Sequence, residues 1–416
     1  VASERDAIDR YVRAVGCEWA ISGFWGRYLG LDGALLQVPN GYAHRAALLR
    51  IAPMLVPLLP VVRLLWLLVG LPLMAGGFAL RWSLRGGWVS AVPLPSPLYL
   101  HASNDRNVGA VPEAAGRPTV ALVLPFRKGA GPGAWATRCI DLRAVSTRAS
   151  VVRAAVASVR AGWRLMRAGQ GERVLFSYSA PQWFWVHEAL DRAAPDSLWV
   201  SNHVDRWIAL ATSLPASRTT IVQHGDLGHL DARTGTRWLA TLPAPLPRIE
   251  RIFVTDAAAA ADFEAAICGP GPRFERIVLG LRAEAWPVVV PGACRILIVG
   301  HPDAQPAMGH VIAEVSARCG PSAMFAYRPH PTERRPVTLP RVESASVRWL
   351  ETGEIVPVVD VVVSYGSSVT GELLDATGAT LVHWDPNDPA SVDQTVETLV
   401  ARTRGAQAAP SRIVDG

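Results

Sequence analysis

Acidic side chains are missing from a long stretch of this 416-residue chain: between Gly33 and Asn104 there is no Asp or Glu, while Arg45, Arg50, Arg63, Arg81 and Arg85 remain. Lysine is nearly absent as well, and Lys128 is the only one among 41 basic residues. Such an arginine bias suits contact with phosphate or anionic lipid, and a GC-rich genome produces the same bias. Charge of either sign is scarce: 18% of residues are charged against about 25% in an ordinary soluble domain. Half the residues are hydrophobic and mean hydropathy is +0.20, which excludes a disordered chain. The five cysteines are scattered and include no C-x-x-C pair, so neither a disulfide framework nor a zinc–thiolate site is expected, and a reducing compartment is. No P-loop and no G-x-G-x-x-G follows a strand. The arginines are dispersed and no reading module is present, so nucleic acid is not an expected partner. Glu4, Arg5, Asp6, Asp9 and Arg10 precede any apolar run, and no secretory signal is expected.

The acid-free stretch holds the longest apolar run. Seventeen uncharged residues, Leu64 to Leu80, follow Ile51–Val62 and Arg63. As helix they measure about 26 Å, short for a bilayer core of about 30 Å. Pro53, Pro57, Pro60 and Pro72 argue against one straight helix, because each lacks an N–H and crowds the preceding turn. The expectation is a broken, re-entrant or interfacial hairpin on the membrane, with Trp66, Trp82 and Trp88 at headgroup level. A buried helical pair in a soluble domain is the alternative.

Beyond Pro112 short apolar strands alternate with helices, the pattern of parallel sheet. Strands are expected at 119–125, 173–178, 197–201, 219–223, 251–255 and 276–280. Helices are expected at 150–168, 182–193, 205–213 and 256–267. On the first of these Val152, Ala155, Val156, Val159 and Trp163 share a face. After a Pro- and Gly-containing join at 285–293 a second series begins, with strands at 294–300, 322–327, 347–350, 359–364 and 379–383. Its helices are expected at 310–319, 367–376 and 391–404. The fold class is thus α/β, with two doubly wound lobes and a cleft between them. The expected divisions are an apolar N-terminal region (1–110), a first Rossmann-like lobe (111–285) and a second (286–416).

Ligands of such sheets bind beyond the carboxyl ends of the strands, where this sequence is polar. His224-Gly225-Asp226 follows one strand, His301-Pro302-Asp303 another, and Arg328-Pro329-His330-Pro331 a third. Tyr365-Gly366-Ser367-Ser368-Val369-Thr370-Gly371-Glu372 follows a fourth and opens a helix. Ser367 and Ser368 supply hydroxyls beside free helix N–H groups, which suits a phosphate, or they simply cap the helix. Glu372 is placed to accept from a ribose or to complete a capping box. The prolines stiffen Arg328 and His330 into fixed donors for a leaving phosphate, and His301 holds an equivalent place. His224, Asp226, His229 and Asp231 lie close in sequence, but the nearby glycines argue against a helical metal site, and no metal is expected.

Gln223-His224-Gly225, Arg328-Pro329-His330-Pro331 and Ser364-Tyr365-Gly366-Ser367-Ser368 resemble the ordered motifs of the CDP-glycerol glycerophosphotransferases, the teichoic-acid primase and polymerase family. The His-Pro and Ser-Ser elements also resemble bacterial sialic acid and Kdo transferases, which use CMP-sugars. The likeness covers about residues 215–400. It implies a GT-B fold, a CDP- or CMP-activated donor, a surface-polysaccharide or lipid-linked acceptor, the cytoplasmic face of the bacterial inner membrane, and no further cofactor. Carried over, His224 is the base on the acceptor hydroxyl, with Asp226 the alternative. His330 assists the departing phosphate, and Arg328, Ser367, Ser368, Thr370, Glu372 and His301 bind the donor. Two other classes stay open: a nucleotide-sugar epimerase of the same fold, and a non-catalytic glycan-assembly protein.

Overall fold

The computed structural model describes residues 3–28, 31, 33–39, 45–86, 88, 94–102, 106–126, 131–201, 205–223, 227–230, 237–277, 282–286, 290–300, 305–329, 347–350, 355–365, 370–386 and 388–408. The chain divides into two compact units, Val1–Leu227 with Leu239–Val278, and Gly228–Trp238 with Leu279–Gly416.

The first unit opens with three helices, α1 (Glu4–Tyr28), α2 (Arg45–Leu65) and α3 (Leu71–Ser83). Then follow β1 (Leu98–His101), α4 (Arg106–Ala110), β2 (Val120–Val123), β3 (Arg138–Asp141), α5 (Arg148–Arg167), α6 (Ala180–Ala193), β4 (Ser197–Val200), α7 (Arg206–Ser213) and β5 (Arg218–Val222). After a pair of short strands that falls in the second unit up to Trp238, β6 (Gly228–Leu230) and β7 (Arg237–Leu239), the first unit continues with β8 (Ile249–Val254), α8 (Ala257–Phe263) and β9 (Arg273–Arg276). Seven strands form one parallel sheet in the order β3-β2-β1-β4-β5-β8-β9. Its middle strands β1, β4 and β5 are buried along nearly their whole length, as in parallel sheets covered on both faces. Local chemistry starts the helices: Asp205 accepts from the N–H groups of Trp207 and Ile208, Asp256 from that of Ala259, and Thr147 with Ser150 forms a reciprocal cap on α5.

The second unit contains β10 (Arg282–Glu284), β11 (Cys294–Val299), α9 (Gln305–Cys319), β12 (Ala323–Arg328), β13 (Val347–Trp349), β14 (Ile355–Pro357), β15 (Val361–Ser364), α10 (Thr370–Thr377), β16 (Thr380–His383) and α11 (Pro389–Ala408). Its main sheet is parallel, in the order β13-β12-β11-β15-β16, and β10 pairs with β14 beside it. Two consecutive open parallel units are the Rossmann-like lobes that the GT-B expectation requires.

Several expectations are corrected. Residues 1–110 are not a separate region: β1 lies between β2 and β4, and Tyr11, Val15 and Phe24 of α1 belong to the same core. The second unit resumes at Leu279 rather than 286. Residues 173–178 form no strand but part of a 3-10 helix, Gly171–Ser179, in which the Ser177 hydroxyl donates to the Val174 carbonyl. The segment is buried under α1, whose Tyr11 hydroxyl donates to the Phe176 carbonyl. The strand expected at 276–280 runs from Arg273 to Arg276. On α5 the buried side is the small one, including Ala154, Ala157, Ala161 and Gly162, while Val152, Val156 and Trp163 are 49%, 45% and 40% exposed.

The apolar segment is not a hairpin. Arg50–Ser83 is one helix of 34 residues, long and apolar enough to cross a membrane, and little of it is buried. It stays continuous because α2 and α3 are joined by a π turn, Trp66–Gly70, immediately before Pro72. The wider turn relieves the i→i−4 ladder where the proline offers no N–H. Below the turn buried Leu48 and Leu59 and partly buried Ala52 and Leu55 form one stripe, with Leu48 packed against Leu31 and Leu35. Within the turn Leu67, and just above it Leu71, reach Gly162 of α5 closely enough that a Cβ there would lie 2.5 Å from Leu71 Cδ2. The Trp66 indole donates to Ser177 Oγ at 2.9 Å, and Trp82 packs against Trp185.

Candidate functional site

Every strand of each main sheet runs the same way, so the carboxyl ends gather on one edge of each unit. In the first unit β5 ends at Val222, and Gln223 is held from three directions. Its backbone N–H donates to the Phe253 carbonyl at 2.9 Å, and its own carbonyl accepts from Asn107 Nδ2 at 2.6 Å. Its side-chain Oε1 accepts from the Thr255 N–H at 2.9 Å and lies 3.2 Å from the Thr255 hydroxyl. Arg276 in turn donates from Nε to the Thr255 carbonyl at 3.1 Å. The sheet order places the ends of β5 and β8 side by side, which makes this bracing possible. Two further buried polar residues, His101 and Ser201, sit at or just beyond the ends of β1 and β4.

A second polar cluster lies under this lobe's helices. Glu18 of α1 is ion-paired with Arg206 at the start of α7, and the Tyr178 hydroxyl hydrogen-bonds to both. Burial pushes the Glu18 carboxyl up to about 7 against the pull of Arg206. Arg206 is driven further towards its charged form, since Glu18 and the two tyrosines outweigh its own burial.

In the second unit Arg328 is the last residue of β12, paired in register with Val299 at the end of β11. It is only 5% exposed, and its carbonyl accepts from the Gly300 N–H at 2.8 Å. The β15 end carries Ser364, opposite His383 of β16, and the Ser364 and Thr370 hydroxyls are 2.6 Å apart. Thr370 opens α10, and Glu372 lies half-buried in its first turn. At the opposite edge Arg295 grips Asp360 through its backbone N–H at 2.8 Å and Nε at 2.9 Å. Burial alone would raise Asp360, but these donors hold it below the ordinary carboxylate range.

Of the sequence-derived site residues, Arg328, Thr370 and Glu372 therefore stand on one strand edge. His224, Asp226, His301, His330, Ser367 and Ser368 lie outside the described residues. The sequence reading missed Asn107, Thr255 and Arg276, which carry no motif and meet Gln223 only through the sheet order. What the described edge offers chemically is a buried guanidinium, a hydroxyl pair and the start of a helix, a combination that favours an anion. Among the described residues no group of three or more His, Cys, Asp or Glu is placed to hold a metal ion.

No protein-family model matches the chain, and no curated protein does. Among solved structures it is similar to the UDP-GlcNAc 2-epimerase from Neisseria meningitidis, bound to UDP-GlcNAc, with 11% identity and a TM-score of 0.38 over 75% of this chain and 93% of that one. It is similar also to CalG4, the calicheamicin glycosyltransferase, with 12% identity and a TM-score of 0.37 over 75% and 93%. The GtfA/B complex matches at 9% identity and 0.33, over 56% of this chain and 54% of that chain, so only about half the length of that neighbour is spanned. The overlap is partial and fixes no residue's role here.

Proposed function

We propose that this chain is a GT-B transferase that moves a sugar or glycerol-phosphate group from a CDP- or CMP-activated donor to a surface-glycan or lipid-linked acceptor. It would work at the cytoplasmic face of the bacterial inner membrane, held there by the Arg50–Ser83 helix. One observation carries the reading: a buried arginine ends a parallel strand on the same edge as the Ser364–Thr370 hydroxyls and the N-terminus of α10. A guanidinium presents a planar fork of donors that matches a phosphate, and a helix start beside it favours the same charge.

In this mechanism His224 (or Asp226), which follows the braced Gln223 in sequence, acts as the base on the acceptor hydroxyl. As that oxygen attacks, the base takes its proton and the bond to the nucleotide phosphate breaks. Arg328 and His330 stabilise the negative charge gathering on the departing phosphate, and Ser367, Ser368 and Thr370 hold it at the helix start. A single displacement balances the reaction, and no covalent enzyme intermediate is needed.

Thermal melting against CDP, CMP, UDP and GDP tests the donor site, because a ligand of the folded state raises Tm. CDP or CMP is expected to raise it most. Arg328→Gln should weaken that nucleotide by roughly 10- to 100-fold, the loss of about 1.5–3 kcal/mol for a charged hydrogen bond. A rise with UDP alone would remove the cytidine assignment, and no rise with any nucleotide would remove the donor site. With donor and acceptor supplied, His330→Ala should lower turnover by roughly 10²–10⁴, and unchanged turnover would take His330 out of the mechanism.

A further inference from the structure

Inside the first unit a hollow of about 430 Å³ lies where α3 meets the chain leaving β2. Gly77, Phe78 and Arg81 line it from α3, Phe126 from the turn beyond β2, and Tyr178 and Gln182 from the approach to α6. Volumes of this size hold small ligands. Phe78, Trp82, Phe126 and Tyr178 give it aromatic walls, and among the described residues Arg81 is its one charged lining residue. Among the described residues no carboxylate lines it, so Arg81 favours an anion over a cation there. The Tyr178 hydroxyl is engaged by Glu18 and Arg206, which fixes the ring as a wall.

The position of the hollow narrows the ligand further. On one side is α3, whose Leu73, Leu80 and the following Leu84 are 70%, 63% and 75% exposed. On the other is the carboxyl end of β2, on the edge where all seven strands of the sheet finish. A ligand filling it would thus have an apolar part beside the exposed helix, an anionic group at Arg81 and a remainder directed to the strand ends. We infer that the hollow binds the acceptor as an amphipathic lipid phosphate, with its phosphate at Arg81 and its lipid chain along α3. This rests on the transferase reading and commits it to a lipid-linked acceptor rather than a free glycan.

Gly77 provides the test. A Cβ built there meets nothing within 4 Å, and leucine is a far better helix former than glycine, so Gly77→Leu fills the hollow without straining α3. Arg81→Gln is the second variant, which removes the charge, and with it the guanidinium over the Trp82 ring, from an exposed position. The full chain on phosphatidylcholine vesicles is labelled with a diazirine-bearing farnesyl phosphate, and the crosslinks are mapped by mass spectrometry. Labelling is expected at 74–82 and 178–182, reduced about tenfold or more in either variant, and resistant to excess phosphatidylglycerol. Undiminished labelling in both variants, or labelling elsewhere only, overturns the site. Competition by phosphatidylglycerol at equal concentration makes it a headgroup site and overturns the acceptor assignment. Melting with cytidine nucleotides in the same preparations judges the transferase reading separately: a shift retained in Gly77→Leu shows that lost labelling is not lost folding, while a shift in the parent chain without labelling of the parent chain leaves that reading standing and sinks this one.

Discussion

His187 on α6 shows how far burial alone can move a titrating group. Its ring stacks on Trp183 at 5.0 Å, and Arg10 Nη1 lies 3.2 Å from Nε2, a contact in which the guanidinium donates to a neutral imidazole. Burial lowers its pKa to about 4, with Arg10 pushing the same way and Asp191 opposing. Unfolded, the ring would titrate near 6.5, so on acidification the unfolded chain takes up the proton first. The contribution is whole above pH 6.5 and is lost as pH falls towards about 4, on the order of 3 kcal/mol for a shift of that size. Urea unfolding at pH 7 and pH 4.5 should show this loss, and His187→Phe should remove it from the difference. A variant with the same slope as the parent would place the pH dependence elsewhere. Arg206 is a second such residue: Arg206→Met strands Glu18 without its ion pair and should cost about 3–5 kcal/mol in the same assay. At this scale Arg328 was legible, because a charged residue between an apolar strand and a proline has few structural reasons to be there. Asn107 and Thr255 were not, since short polar residues gain their meaning from neighbours distant in sequence.

Helix α5 corrects the hydropathy reading at the scale of an element. Its periodicity marks Val152, Val156 and Trp163 as one face, yet the side that packs is built from alanine, serine and glycine, because close approach to α3 needs small residues rather than apolar ones. Gly162→Val should therefore destabilise the lobe by about 1–3 kcal/mol through overpacking against Leu67 and Leu71, and protease cleavage within 66–83 should accelerate. No loss of stability would mean that α3 is not seated on α5. β1 escaped notice because its four residues sit among prolines in a stretch dominated by the apolar helix. The 173–178 segment misled because Val174 and Phe176 alternate as a strand does, although the places beside β1 were already taken by β2 and β4.

For the whole molecule, alternating strands and helices were enough to give two parallel α/β units, since parallel neighbours require crossovers wherever they occur. The division at 110 failed because an apolar composition marks what a segment touches and not which sheet it joins. The exposed side of Arg50–Ser83 makes membrane attachment testable without dismantling the core. Leu58, Val61, Leu64 and Leu68 are each about half exposed, and changing all four to asparagine should release the protein from phosphatidylglycerol vesicles in a flotation assay with little change in Tm. Parent protein that fails to float with such vesicles would refute the attachment. Binding should also weaken on neutral vesicles and in high salt, because the segment's charges are all arginine.

The five residues from Trp66 to Gly70 set the helix's phase. Leu48, Ala52, Leu55 and Leu59 mark one stripe, and an unbroken α-helix would carry it upward to Trp66 and Gly70; the π turn's extra residue hands it to Leu67 and Leu71 instead. Excising a single residue within the turn would return the junction to α geometry and keep that phase, whereas excising one from either flanking α segment would turn everything beyond it by roughly 100° about the axis. Hydropathy and composition would barely register either change, yet only the second would make Phe78, Arg81 and Trp82 face the wrong way. The count of amino acids on either side of this junction is thus under as much constraint as their identity, and the turn itself is where one residue can be spared.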